Sequence, residues 1–356
     1  MMPPGGFVPP PPPGMFPPGM PGFFSPPRQH GFTRAIFVTL ASTIFGLSLL
    51  ANMYLLLYSG LFSAQASSVS EQTVVDGDPK EKVAIIPVHG IIRGETVMVV
   101  GRWLRAAGED ANVKAIVLEV DTPGGDVTSS DEIHHLIDKL RKAKTEHGGT
   151  FPIAVSMGGL GTSGGYYVSA GADQIFAQPT TLTGNIGVLM PRFNLSGLVE
   201  KWGVAERTLA APEGGYKNAG SMFSPDNPRD TKYMQGIVDQ AYDQFKGVVK
   251  TGREGKLKAS LAEVANGQVF TAQQALKNGL VDQIDYLEAA YKWAATQAGL
   301  SKPTVVRYHR RATLLETFLA ESSHVGPRNV NVNVQVDRSA IDEVMTPRLQ
   351  YLWRGE

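Results

Sequence analysis

The polarity of the chain divides it into unequal parts. Residues 35–62 carry no charged side chain, and Asn52 is the only strongly polar one among them. As a helix this stretch would be about 42 Å long against about 30 Å of bilayer hydrocarbon, so one tilted transmembrane span is predicted. After a polar linker over residues 63–81, apolar runs recur with two periods. Residues 83–88, 115–120 and 152–156 read as buried strands. Helical spacing covers 96–107 and 126–144, the latter with Ile133, Leu136, Ile137 and Leu140 on one face. A helix is expected from about Ser163, short strands at 174–177 and 186–190, and a long helix over 229–251. Two short helical pieces then lead to a last helix over 286–298. Beyond residue 301 the pattern weakens, with a helix at 313–319 and an exposed, alternating strand at 330–336. Strands alternating with helices predict an α/β domain, largely parallel, over residues 82–300. Residues 301–356 form an extension without an evident role.

Composition sharpens the first part most. Half of the 24 prolines fall within the first thirty residues, so residues 1–34 read as a disordered tail. Arg28 and Arg34 precede the apolar run, and the next basic residue after it is Lys80. The positive-inside rule then puts the N-terminus in the cytoplasm and everything after the span outside, at the cell membrane. A cleaved signal peptide competes, because Ala64-Gln65-Ala66 resembles a cleavage site; the run is too long for one, which favours an uncleaved anchor. Lysine plus arginine equals aspartate plus glutamate at 33 each, so no net field points to nucleic acid. Cysteine is absent, which removes thiol nucleophiles, thiolate metal sites and disulfides. No metal or cofactor is expected.

Two glycine-rich stretches sit at predicted strand ends. In Gly161-Thr162-Ser163-Gly164-Gly165-Tyr166-Tyr167 a serine falls between a strand and a helix, where its hydroxyl would be exposed and a developing oxyanion would meet free N–H groups. The plainer reading is an N-cap serine in a packed turn. In Asp121-Thr122-Pro123-Gly124-Gly125-Asp126-Val127 the glycines can turn an N–H outward and leave an edge for a peptide, or merely form a Pro-Gly turn. Neighbouring strand ends of an open α/β sheet are where ligands usually bind. A serine nucleophile needs a base. Of the seven histidines, His89, at the end of the first strand, is the one candidate of interest. An amine serves only when neutral, so a lysine in that role must be desolvated. Nothing in spacing alone marks Lys217, which lies in the glycine-flanked stretch Gly214-Gly215-Tyr216-Lys217-Asn218-Ala219-Gly220.

From about residue 83 to 298 the chain resembles the signal peptide peptidase (protease IV, SppA-type) family of Ser–Lys proteases. The resemblance rests on the Pro-Gly-Gly loop, Ser-Gly-Gly-Tyr-Tyr, Leu182-Thr183-Gly184-Asn185-Ile186-Gly187-Val188 and Gly-Tyr-Lys-Asn-Ala-Gly. It continues through Asn266-Gly267-Gln268-Val269-Phe270-Thr271 and Gln274-Ala275-Leu276-Lys277-Asn278-Gly279-Leu280-Val281-Asp282, all in order. It implies Ser163 as nucleophile, Lys217 as base, and Gly125 and Gly164 as oxyanion donors. The family usually has serine at the position of Asn185, where the residue orients the lysine. Met222 replaces a proline common after the lysine loop. The implied fold is the spiral of ββα units shared with Clp protease and crotonases. The implied assembly is a homo-oligomeric ring in which serine and lysine can come from neighbouring subunits. Peptides, with leftover signal peptides foremost, would bind extended beside Gly124 and Gly125. Two other readings share the fold: a catalytically silent membrane scaffold, for which Asn185 is the one hint, and a crotonase-like acyl-CoA enzyme, which needs neither anchor nor Ser–Lys pair.

Overall fold

The structure, a computed structural model, describes residues 30–65, 69–146, 148–310 and 348–354. The chain divides into two compact units at Ala66/Ser67. The first is the helix α1 (His30–Gln65), within which Ala35–Leu56 is long and apolar enough to cross a membrane, with mean hydropathy 1.8. Two of its polar side chains, Thr43 and Asn52, bond back within the helix. Thr43 Oγ1 donates to the Thr39 carbonyl at 2.8 Å and Asn52 Nδ2 to the Ser48 carbonyl at 2.7 Å, which spares them unmade hydrogen bonds in an apolar medium.

The second unit is built on a nine-stranded sheet. Its strands are β1 (Ser70–Val75), β2 (Asp78–His89), β3 (Val113–Thr122), β5 (Ile153–Thr162), β6 (Gln174–Ala177), β7 (Leu182–Gly184), β8 (Val269–Thr271), β9 (Gln283–Ile284) and β10 (Pro303–His309). The main path runs β1-β10-β2-β3-β5-β6-β9, parallel throughout except for β1, while β7 runs parallel to the end of β5 and pairs antiparallel with β8. The helices are α2 (Gly94–Glu109), α3 (Val127–Thr145), α4 (Gly164–Ser169), α5 (Ser196–Lys201), α6 (Pro228–Gly252), α7 (Leu261–Val264), α8 (Ala272–Asn278) and α9 (Leu287–Gln297).

Successive side chains of a strand point to opposite faces, and here both faces are covered. Ile86, Val88, Leu118, Val120, Val155 and Met157 join one core with residues of α2, α3, α4 and α6; Val83, Ile85, Val117 and Ala154 join the other with α9. That is why the strand runs are apolar at nearly every position. A separate two-stranded ribbon pairs β4 (Gly124–Asp126) with β11 (Gln350–Leu352), antiparallel.

The expected elements are found, with differences at the margins. The polar stretch 63–81 contains β1, an edge strand with exposed side chains and hence no apolar alternation to reveal it. The sheet also reaches past residue 300, since β10 lies between β1 and β2. At 186–190 there is no strand; Leu189 makes only an isolated bridge to Gln350, and the strand in this region is β7. The proline-rich tail before residue 30 and the elements expected at 313–319 and 330–336 lie outside the described residues.

One buried ion pair ties the far end of the sheet to α6. Arg253, 1% exposed, donates two hydrogen bonds to the Asp282 carboxylate, at 2.8 and 3.0 Å, and two to the Gly279 carbonyl. Burial pushes the Asp282 carboxyl up, but hydrogen bonds and charge from Arg253, with the Ile175 N–H and Lys256, hold it below its ordinary value. A carboxyl depressed in the folded state adds stability above its unfolded pKa and loses it as pH falls through the folded one. Asp282→Ala should therefore cost about 3–5 kcal/mol at neutral pH by stranding a buried guanidinium. Thermal melts should place this loss at neutral pH and find it shrinking as the wild type is acidified below the carboxylate range.

Candidate active site

Ser163 sits where β5 ends and α4 begins, with φ 52° and ψ −112°. It occupies the N-cap position of α4, yet its side chain caps nothing, and its backbone is not in the extended region that N-cap residues adopt. The plain capping role is thereby set aside, and Oγ is left without a hydrogen bond to any described residue. The turn is held by its backbone: Ser163 N–H donates to the Gly184 carbonyl at 2.8 Å, and Tyr167 N–H to the Ser163 carbonyl at 2.9 Å. Behind it Tyr166 and Tyr167 are fully buried; their hydroxyls donate to the Leu280 carbonyl (2.9 Å) and to Asp131 Oδ1 (2.6 Å). Burial pushes both phenols far up, that of Tyr167 further through its bond to Asp131, so they stay protonated as donors.

The second loop closes on the first. Gly124 has φ +101°, and a Cβ there would stand 2.7 Å from Gly164 N. A Cβ on Gly125 would stand 1.9 Å from the Ile92 carbonyl oxygen, and one on Gly164 2.5 Å from Ser130 Oγ and 3.2 Å from Gly125 N. Glycine is required at all three positions, and the backbone nitrogens of Gly125 and Gly164 are thereby brought beside the serine turn. Thr122, whose hydroxyl accepts from Gly124 N–H at 3.0 Å, braces this loop, a role that sequence reasoning did not assign.

Asn185 adjoins the same turn, one residue beyond the carbonyl that holds Ser163. Its φ is +49°, and it and Ser163 are the only non-glycine residues with positive φ among those described. Strained backbone of this kind gathers at functional sites. Its Nδ2 donates to the Gly267 carbonyl at 2.7 Å and its N–H to the Gln268 carbonyl at 2.7 Å, which turns Oδ1 away from that loop.

No hydrogen bond joins Lys217 to Ser163 within one chain. It is exposed, in a series of turns between α5 and α6, with its N–H donating to the Gly214 carbonyl at 2.8 Å. The turns are pinned to α6: Arg229 donates to the Gly215 carbonyl at 2.8 Å, and Tyr216 packs on Tyr233 with ring centroids 4.8 Å apart. His89 offers no substitute. It lies on β2, with β3 between it and β5, and its Nε2 is 3.6 Å from Glu119. No cluster of three His, Asp or Glu able to hold a metal ion occurs among the described residues.

Comparison with known proteins gives this geometry a class. Residues 147–301 match the model of peptidase family S49. A relative from Enterococcus faecium, provisionally named signal peptide peptidase SppA, is 34% identical over 259 residues, spanning 70% of this chain and 73% of its own. Protease 4 of Haemophilus influenzae is 33% identical over 67% of this chain and 35% of its own length. The chloroplastic serine protease SPPA of Arabidopsis thaliana is 32% identical over 61% of this chain and 31% of its own. With the strained serine, these matches define the molecule as a serine peptidase. The chain belongs to peptidase family S49.

The packing of the two loops can be tested directly. In Gly124→Ala the new methyl meets Gly164 N at 2.7 Å, with the backbone strained as well. If the paired loops carry the oxyanion, kcat should fall by about 10²–10³. Peptide-cleavage assays on protein whose melting curve remains cooperative would read this; unchanged kcat would sever the loop from the chemistry.

Proposed function

We propose that the protein is a membrane-anchored Ser–Lys peptidase in which Ser163 of one copy is activated by Lys217 of a neighbouring copy. The observation that carries the reading is the strained, uncapped Ser163 turn set against the backbone nitrogens of Gly125 and Gly164. Ser163 Oγ attacks the peptide carbonyl carbon while the lysine amine takes its proton. The oxyanion develops against the two glycine N–H groups, and the tetrahedral adduct collapses as the lysine returns the proton to the leaving nitrogen. Water then repeats the sequence on the acyl-enzyme. Asn185 Oδ1, turned away from Gly267, is the acceptor that orients the lysine.

The base has to be desolvated, and a single chain leaves it in water. Support for a second copy comes from the surroundings of Lys217: Trp202 is 78% exposed and Leu209 99%, with Phe193, Leu198 and Val204 also open. A monomer seldom exposes so many large apolar side chains in one stretch. A ring-like homo-oligomer that covers this stretch would bury the amine and favour its neutral form. The parallel sheet with its β7–β8 branch is compatible with the Clp protease/crotonase-like spiral in which such rings are built.

The substrates in this reading are extended hydrophobic peptides, with signal peptide remnants foremost; the name of the Enterococcus faecium relative supports this class. The helix α1 would anchor the chain in the cell membrane with its N-terminus cytoplasmic and the peptidase unit outside, as the placing of Arg28, Arg34 and Lys80 suggests.

Ser163→Ala and Lys217→Ala should each abolish cleavage of a reporter peptide without changing the oligomeric state. Mixed oligomers of the two variants should regain activity, because some sites then pair an intact serine with an intact lysine. Failure of mixing to restore any turnover would return the lysine to the serine's own chain. Wild-type kcat/KM should rise with pH through the neutral and alkaline range, as a lysine base requires, and a flat profile would argue for a different base.

A further inference from the structure

A cavity of about 670 Å³ opens between α3, the loop after α4 and the last turns of α6, a size within the range of small-molecule sites. It is distinct from the cleft at Ser163. His134 and Gln244, which line it, also touch Tyr167 of α4. The His134 ring stands edge-on to that of Tyr167 with centroids 5.5 Å apart, and Gln244 Nε2 lies 3.2 Å from the Tyr167 hydroxyl. The cavity therefore lies behind the helix that begins at the serine turn.

Its charged lining balances, with Arg141 and Lys256 against Asp138 and Asp173. Burial pushes the His134 imidazole below its ordinary value, in spite of Asp138 and Asp131, so it adds no charge at neutral pH. The opposite charges do not satisfy one another. Arg141 Nη2 donates to the Gly171 carbonyl at 2.9 Å and Nη1 lies 3.4 Å from Asp173 Oδ1, but Nε is buried with no partner among the described residues. A buried charged donor without an acceptor is costly. Lys256 Nζ donates to the Asp173 carbonyl and lies 3.5 Å from Asp282 Oδ2. Asp138 has a single ion-pair contact among the described residues, His134 Nε2 at 3.9 Å, which is beyond hydrogen-bond length. The 25-residue helix α6 ends here, with Val248, Thr251 and Gly252 in the lining, and the negative end of its dipole favours a cation.

We propose that this cavity binds a small zwitterion, a dipeptide or single amino acid with both termini free, its carboxylate on Arg141 Nε and Lys256 and its ammonium on Asp138 and the end of α6. A ligand of one sign would answer only half of the lining: an anion would meet Asp138 and Asp173, and a cation would meet Arg141 and Lys256. Charge-assisted bonds at both ends give a zwitterion an acceptor for the buried Nε and a cation for the underused carboxylate. A peptidase produces molecules of this class, because each hydrolysis leaves one new carboxylate and one new ammonium group. Only the shortest fragments carry the two within one cavity. The inference needs the peptidase activity of the family and does not depend on which group serves as base.

The test is calorimetric titration of the full chain in detergent micelles, carrying Ser163→Ala so that the ligand is not consumed. Glycylglycine should bind saturably. N-acetylglycylglycine and glycylglycinamide, each lacking one charge, should bind at least about ten-fold more weakly, as expected for loss of one charged hydrogen bond. Arg141→Gln and Asp138→Asn, each added to that protein, should weaken glycylglycine by a similar factor while the melting curve stays cooperative. The Asp138 side chain is 45% exposed, so its replacement leaves no buried gap, and it decides alone should Arg141→Gln fail to fold. Absence of glycylglycine binding, equal binding of either capped form, or undiminished binding in folded Asp138→Asn would each overturn the inference, the last by placing the dipeptide elsewhere on the molecule.

Discussion

Three backbones approach each other at Gly124, Gly125 and Gly164 more closely than any side chain allows, and the rest of the site is arranged around that contact. Added Cβ atoms would come within 1.9–2.7 Å of their neighbours at these positions. The contact exists because β3 and β5 are adjacent and parallel, so that both chains leave the sheet at the same end, Thr122 opposite Gly161. One chain turns into β4 and the other into the Ser163 elbow. Positive φ at Ser163 and at Asn185 costs of order 1–3 kcal/mol each. Burial of Tyr166, Tyr167, Val168 and Ile186 directly beyond those turns offsets it, at about 1.5–3 kcal/mol for each large side chain. The strain is local and the support is the whole two-faced core.

That division explains what was legible in the sequence. The inner strands β2, β3 and β5 are covered on both faces, so they appear as uninterrupted apolar runs, and α3 and α6 carry a helical stripe because only one side of each meets the core. The glycines around Ser163 and Gly125 were legible because close backbone contact leaves glycine no substitute. The edge strand β1 was hidden by its exposure, and β10, though buried, falls where the apolar pattern is short and isolated. Lys217 was hidden for a different reason. A residue whose proposed function depends on being covered carries no mark of it in a stretch that is uncovered in the single chain, and only resemblance to a family singled it out. Tyr351 was the most concealed: three strand residues far from the motifs, with no periodicity to mark them, fill the core beside the elbow.

The serine half and the lysine half also differ in how they are held. Ser163 is fixed by backbone bonds and by the buried rings of α4, none of which needs a second chain. The turns bearing Lys217 lean on α6 through Arg229, Tyr216 and Tyr233, side chains that are themselves exposed or half-exposed. On the reading proposed above, an amine on such a support would gain a fixed position and a dry environment only from whatever covers it.

Asn185 is the residue proposed to join the two halves, and its chemistry differs from that of a serine. A serine hydroxyl both donates and accepts through one oxygen, whereas an asparagine separates the two functions. Here Nδ2 is committed to the Gly267 carbonyl, which fixes the amide plane and leaves Oδ1 as a pure acceptor. A protonated lysine has three donors and no acceptor, so a fixed acceptor is what it can use. If Lys217 is the base proposed above, the substitution leaves it an acceptor next to the β7–β8 branch, which carries Gly184 on one strand and follows Gly267 on the other.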